Sequence, residues 1–272
     1  MHLVPLFLYA CATGAYLAHF ARRNPATGRL ATGLLGGAIL AHTFLIGMQT
    51  VEAGHAPLVG TTAALSAFVW LFGLSYMYVE LTTDERAMGV LVSALLTVLY
   101  VIPALNPGVS PRPEVLRSPL FTFHVTAMLF AYASLALACV IGVTYVLLFK
   151  EIKAKHLGFF YARLPSLQVL DSMNGRVITI GWLFLTAGIA IGIVWATQVR
   201  PSADPRLQAM HIQDPKILVA LVSWCVYSFA LFARRAIGLT GRRAAWLSVF
   251  AFVIVLLNFV PVGYFLTESH NF

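Results

Sequence analysis

The chain has 272 residues, of which 60% are apolar and only 10% are charged. A soluble domain carries about 25% charged residues, so the composition excludes a water-soluble fold and points to an integral membrane protein. The net charge of +8 then reads as topology signal, and no nucleic acid is expected as a partner.

Charges are confined to short stretches between long apolar runs, the pattern of membrane helices rather than of a barrel with alternating polarity. A span needs about 20 mostly apolar residues. Eight stretches qualify, near residues 3–20, 30–50, 61–80, 88–105, 120–149, 177–199, 216–234 and 244–267. The first opens almost at Met1, with no basic region before it and no small-residue cleavage site after it, and reads as a retained helix. The second, LATGLLGGAILAHTFLIGMQT, carries His42 among small residues. Pro103 is expected to kink or end the fourth, and Asn106-Pro107-Gly108 marks an irregular loop. The fifth, FTFHVTAMLFAYASLALACVIGVTYVLLF, carries His124 and is long enough to tilt or project. EIKAKHLGFFYARLPSLQVLDSMNGR then reads as a basic, aromatic segment lying on an anionic leaflet. Asp214-Pro215 caps and opens the seventh, and Pro261 interrupts the eighth. Trp70, Tyr78, Tyr100, Trp195, Trp246 and Tyr264 sit near span ends and read mostly as interfacial anchors. The cysteines Cys11, Cys139 and Cys225 read as small buried apolar residues.

Lysine and arginine sort across the loops. Thirteen follow odd-numbered spans and five follow even-numbered ones, accounting for all 18. The positive-inside rule puts both termini outside. The expected fold is all-α: a polytopic membrane protein of eight transmembrane helices in one bundle, residues 1–272 forming a single domain.

A titratable ring in the hydrocarbon layer is costly and tends to survive where it faces other helices and does something. His42 falls roughly 13 Å and His124 roughly 6 Å below the outer boundary at the rise of a helix. Two such residues on separate helices fit bis-imidazole ligation of a haem iron. The plainer reading is two buried histidines, each hydrogen-bonded to a neighbouring helix. Met48 and Met128 are alternative soft ligands, more ordinarily packing residues. His55, His211 and His270 fall at the outer face, where they read either as solvated loop residues or as a second site for haem iron or a divalent metal. Lys216, at the outer start of the seventh span, either simply follows its cap or pairs with an anionic group such as a haem propionate.

HVTAMLFAYASLALACVIGVTYVLLFK, LDSMNGRVITIGWLFLTAGIAIGIVWA, DPKILVALVSWCVYSFALFAR, GRRAAWLSVFAFVIVLLNF and the terminal ESHNF occur in one order. In that order the chain resembles the cytochrome c assembly family, which includes CcsA/ResC-type haem lyases, CcmC-type haem exporters and HemX-like proteins. AHTFLIGMQTVEAGHAPLVGTTAALSAFVWL resembles the family's second and third helices. The resemblance implies haem handling at the outer face of an energy-conserving membrane, here a bacterial inner membrane. It implies haem-associated roles for His124, His270 and His42, with His55 a less certain match. Lyases and exporters carry a tryptophan-rich loop before Asp-Pro-Lys. This chain has TQVRPSADPRLQAMHIQDPK there, without tryptophan, which is closer to the HemX-like branch and puts the haem-transfer step of a lyase in doubt. His211 would be a local substitute ligand.

The expected function is haem holding, relay or presentation in cytochrome c biogenesis. A b-type haem would be bound by His42 and His124 between helices two and five, with Arg200, Arg206 and Lys216 neutralising propionates. Partners would be haem, a membrane subunit or apocytochrome c, and the bilayer. The alternatives are an electron-transfer subunit with b-type haem and a non-catalytic regulator or scaffold of haem synthesis.

Overall fold

The computed structural model describes residues 1–108, 118–155, 158, 161–199 and 215–257, with backbone alone at 199, 215, 216 and 257. Among them are eight helices: α1 Leu3–Arg22, α2 Pro25–Ala53, α3 Thr61–Thr83, α4 Gly89–Leu105, α5 Pro119–Lys153, α6 Leu167–Val199, α7 Pro215–Ala236 and α8 Gly241–Leu257. Six are long and apolar enough to cross a membrane. The protein is an all-helical, multi-pass membrane protein. An α-helix satisfies its own backbone polar groups, and that suits such sequences to lipid.

Local chemistry sets the boundaries. Arg23, in the left-handed region at φ 51°, ends α1, and its N–H donates to the His19 carbonyl. Asn24 caps α2 by accepting from the Ala26 N–H at 2.9 Å, with Pro25 at the first helical position, where its missing N–H costs nothing. Gly54 (φ 69°) closes α2. Pro103 does not end α4, which continues to Leu105.

The helices form two groups. α1 packs on α2 and α4, and α3 on α4 and α2; α5 packs on α6 and α8, with α7 against both α6 and α8. α3 joins the groups by packing along α5, whereas α2 and α5 share no extensive contact. One continuous cluster of buried apolar side chains runs through both groups. Glycines set the closest approaches. A methyl group at Gly89 would lie 2.2 Å from the Tyr16 ring, and one at Gly142 would lie 2.8 Å from the Ala245 carbonyl oxygen.

Cross-helix contacts collect alternate helix ends at one end of the bundle. Gly28 at the start of α2 abuts His19 and Arg86, Arg176 of α6 donates to the Thr82 carbonyl, and the Gly241 N–H at the start of α8 donates to Asp171. Arg22, Arg23, Arg86, Arg176, Arg234, Arg235 and Arg242 lie there, which makes it the basic end.

The last ten residues of the segment expected to lie on the membrane surface between the fifth and sixth spans are instead the first turns of a bundle helix. α6 begins at Leu167, ten residues before the apolar run, and Leu170, Met173 and Asn174 are buried. The polar residues enter because they find partners. The Asn174 amide donates to the Ala138 carbonyl at 2.8 Å and accepts from Ser248 at 3.0 Å, and Asp171 pairs with Arg234.

Candidate functional site

α2 presents two unlike faces. Gly33 and Gly37 have nothing near them and lie in line with Leu40 and Phe44, which are exposed. Ala31, Leu35, Ala38 and His42 form the buried face. The small residues around His42 therefore do not open a slot beside it.

His42 is fully buried among α1, α3 and α4. Its Nδ1 lies 3.2 Å from the Tyr9 hydroxyl and its Nε2 lies 2.9 Å from the Ser66 hydroxyl. The Tyr100 ring packs on the imidazole at 4.5 Å between centroids. A neutral imidazole has one donor and one acceptor nitrogen, and each hydroxyl can serve as either partner, so the three side chains satisfy one another in either tautomer. One turn further along α1, Thr13 and Thr97 share a hydrogen bond of 3.0 Å, which ties α1 to α4 beside this cluster.

His124 faces the other helix group. Its Nδ1 lies 2.7 Å from the Gly188 carbonyl oxygen on α6. A carbonyl only accepts, so Nδ1 carries the proton and the neutral ring keeps its lone pair on Nε2. Glycines make the approach. A methyl group would lie 2.6 Å from His124 at Gly192, 2.8 Å from Met128 at Gly188 and 2.7 Å from Leu135 at Gly181. The residue numbers in each of these pairs add to the same total, as antiparallel helices in fixed register require. Phe121 and Trp195 continue that register at the outer end, with ring centroids 5.1 Å apart. Trp195 is buried, and its indole N–H has no acceptor among the described residues.

His55, in the α2–α3 connection, donates from Nδ1 to the Ala56 carbonyl at 3.1 Å. Arg200, Arg206, His211 and His270 lie outside the described residues, as do the side chain of Lys216 and Pro261 and Tyr264. Among the described residues no three histidine, cysteine, aspartate or glutamate side chains gather as a metal site. The expected juxtaposition of α2 and α5 is replaced by α3, which packs on both. His42 and His124 each hydrogen-bond to neighbouring helices, as the plainer reading of the sequence expects.

The sequence reading missed several residues. Tyr9, Ser66 and Tyr100 enclose His42; Tyr100 and Trp195 are interior and not interfacial anchors. Gly188-Ile-Ala-Ile-Gly192 is a small-xxx-small pattern, a recognisable sign of close helix approach. Glu80 is buried and accepts from Tyr16 at 2.6 Å and from Thr32.

The architecture is that of a polytopic helical membrane protein with a buried histidine in one helix group and a half-buried one in the other. The cytochrome C assembly protein family matches residues 58–270, and the chain belongs to that family. The matched stretch includes His124, His211 and His270 but neither His42 nor His55. Over 270 residues the chain is 27% identical to protein HemX of Brevibacillus brevis, covering 98% of this chain and 95% of that protein. It is 28% identical over 276 residues to the cytochrome c biogenesis protein CcsA of Chlorella vulgaris, covering 89% and 85%. It is 26% identical over 250 residues to CcsA of Guillardia theta, covering 85% and 81%.

Proposed function

We propose that this chain is a haem-holding protein of cytochrome c biogenesis in a bacterial inner membrane, a single unit of eight spans. The positive-inside rule assigns the basic end to the cytoplasm and both termini to the outer side. Membership of the cytochrome c assembly family and likeness to CcsA and HemX proteins support the role in biogenesis.

The observation that carries haem binding is the bond from His124 Nδ1 to the Gly188 carbonyl. Metal-bound histidines generally donate their other ring nitrogen to a carbonyl or carboxylate, which fixes the ring and raises its basicity. The indole N–H of Trp195, one helical register step outward, is buried and without an acceptor among the described residues, a donor suited to a polar edge of a ligand. His42 would be the second histidine to hold the iron, which requires α3 to part from α2 or α5 and the His42 Nε2 to give up the Ser66 hydroxyl. Arg200, Arg206 and Lys216 neutralise the propionates, and His55, His211 and His270 contact haem at the outer face. A b-type haem held by two histidines would be suited to holding and presenting rather than to oxygen chemistry. A partner membrane subunit or apocytochrome c receives it. No catalytic step is assigned, because the tryptophan-rich loop of the lyases is missing from the sequence.

The test is the reduced-minus-oxidised spectrum and pyridine-haem content of the full chain purified in mild detergent. Loss of the spectrum in His124→Ala is the expected result. Full retention in both His124→Ala and His42→Ala overturns the assignment. A second reading rests on the two satisfied nitrogens of His42: this residue is a packing element of the α1–α4 group. On that reading His42→Ala lowers stability and leaves the spectrum intact.

A further inference from the structure

At the basic end, α6 and α7 border an open cleft of about 360 Å³ whose lining includes Ser172, Thr179, Arg176, Arg234 and Arg235 and no acidic residue. Like charges gathered around one cleft repel, and an anion entering it relieves that repulsion. The nearest carboxylate is already committed. Asp171 accepts from Arg234 Nη2 through one oxygen and from the Gly241 N–H at 2.9 Å through the other. Arg234 Nη2 also donates to the Asp171 carbonyl at 2.6 Å. Its other terminal nitrogen, Nη1, is buried and has no acceptor among the described residues. Arg176 spends one donor on the Thr82 carbonyl at 3.0 Å, and Arg235 is exposed.

The cleft is built on a glycine. A methyl group at Gly175 would lie 2.9 Å from Arg234 Nε and 3.0 Å from Cζ, so the guanidinium rests directly on the α6 backbone. That contact and the Asp171 bonds fix the Arg234 guanidinium against the wall of the cleft with its Nη1 closed off, so Arg176 and Arg235, both exposed, supply the donors a ligand reaches. Guanidinium groups with hydroxyls nearby match the oxygens of a phosphate.

We propose that this cleft binds the phosphate of an anionic phospholipid from the membrane leaflet at the basic end. The location decides the source. The cleft lies between two long apolar helices, at the end where the chain's cations collect, and basic pockets between membrane helices on the cytoplasmic side suit anionic head groups. The acyl chains run along the exposed apolar residues of α7 beside it, of which Phe229 and Phe232 are the largest. The site is independent of the haem reading, which rests on the opposite end of α6.

The experiment is native mass spectrometry of the full chain released from micelles containing phosphatidylglycerol or phosphatidylcholine at equal amounts. Preferential retention of phosphatidylglycerol is expected. Arg235→Gln, at an exposed position, weakens that retention about five-fold, and Arg176→Gln with Arg235→Gln about thirty-fold, at the strength of one charge contact per residue. Gly175→Ala weakens it by displacing Arg234. Equal retention of the two lipids overturns the proposal, and so does an unchanged preference in Arg235→Gln protein of normal helix content and melting temperature. Displacement of phosphatidylglycerol by millimolar inorganic phosphate makes the occupant free phosphate and overturns the lipid assignment. Failure of lipid retention leaves the haem spectrum unaltered, so the two readings fail separately.

Discussion

The ring of His124 on α5 donates from Nδ1 to the carbonyl oxygen of Gly188 on α6 across 2.7 Å, over the space left by Gly192. A mid-helix carbonyl has a second lone pair, so this bond adds to the α6 ladder without breaking it. It holds the imidazole in one orientation and one tautomer before any ligand arrives. Gly192→Ala puts a methyl group 2.6 Å from Nδ1, and one of the two helices must shift. The expected cost is about 1–3 kcal/mol of stability, with loss of the haem spectrum. Gly33→Ala is the control, because a methyl group there meets open space and a helical Gly→Ala change is neutral or stabilising by up to about 1 kcal/mol. Thermal unfolding in detergent with haem titration checks both.

His42 is held on both ring nitrogens, by Tyr9 and Ser66, and that gives its variants a distinct signature. Ser66→Ala leaves Nε2 without its partner in a buried site and is expected to cost about 1–3 kcal/mol in haem-free protein. Where iron takes Nε2, added haem recovers that loss, because the missing bond is one the loaded state does not use. Where His42 is only a packing element, haem leaves the Ser66→Ala deficit unchanged. Tyr9→Phe is costly in both cases. Melting temperatures of the two variants with and without haem decide between these readings.

The helix inventory was legible in the sequence because hydrophobic length is a direct property of each span. The eight apolar runs fall on helices, the eighth as far as Leu257, where the described residues end, and the sorting of cations foreshadowed the basic end. Boundaries failed where polar residues were matched by distant ones. Asp171 and Asn174 look like surface residues until Arg234, Ala138 and Ser248, 36 to 74 positions away in sequence, supply their partners. The pairing of helices was not legible either. Apolar runs resemble one another, and nothing in the runs holding His42 and His124 says that α3 packs on both. The glycine spacing of α6 is a sign of a close neighbour that the sequence reading passed over, and only the structure identifies α5 as that neighbour. The tyrosines around His42 were illegible for the same reason: Tyr9 and Tyr100 come from helices separated from it by long stretches of chain.

Glu80 links three helices at the basic end. Its carboxylate is buried and accepts from Tyr16 of α1 at 2.6 Å and from Thr32 of α2, while Arg86 Nε donates to the Thr32 hydroxyl at 3.2 Å. Glu80→Ala leaves two interior hydroxyl donors without this acceptor and is expected to cost about 3 kcal/mol. Glu80→Gln retains one carbonyl oxygen and costs less. Neither change touches the residues proposed to bind haem, so haem content per folded molecule stays normal. Detergent melting with pyridine-haem quantitation checks this. A melting temperature unchanged by Glu80→Ala would show that the network contributes nothing to holding α1, α2 and α3 together.

Asp171 clamps three helices from the same end of the bundle. One carboxylate oxygen takes the Arg234 guanidinium of α7 and the other takes the Gly241 N–H that begins α8. Both side chains of the ion pair are 20% exposed, so screening is limited and the pair is worth more than a surface bridge. Asp171→Ala removes both bonds, leaves Arg234 with a half-buried charge, and is expected to cost about 3 kcal/mol. Asp171→Asn keeps an oxygen for Gly241 and costs less, about 1–2 kcal/mol. Arg234→Lys does not substitute, because an ammonium cannot reach the Asp171 side chain and its carbonyl with the fixed fork that the guanidinium provides. The ordering Asp171→Ala, then Arg234→Lys, then Asp171→Asn in loss of melting temperature follows. Protease sensitivity of the α7–α8 connection near Gly238 should rise in the same order, since Asp171 ties the start of α8 to α6.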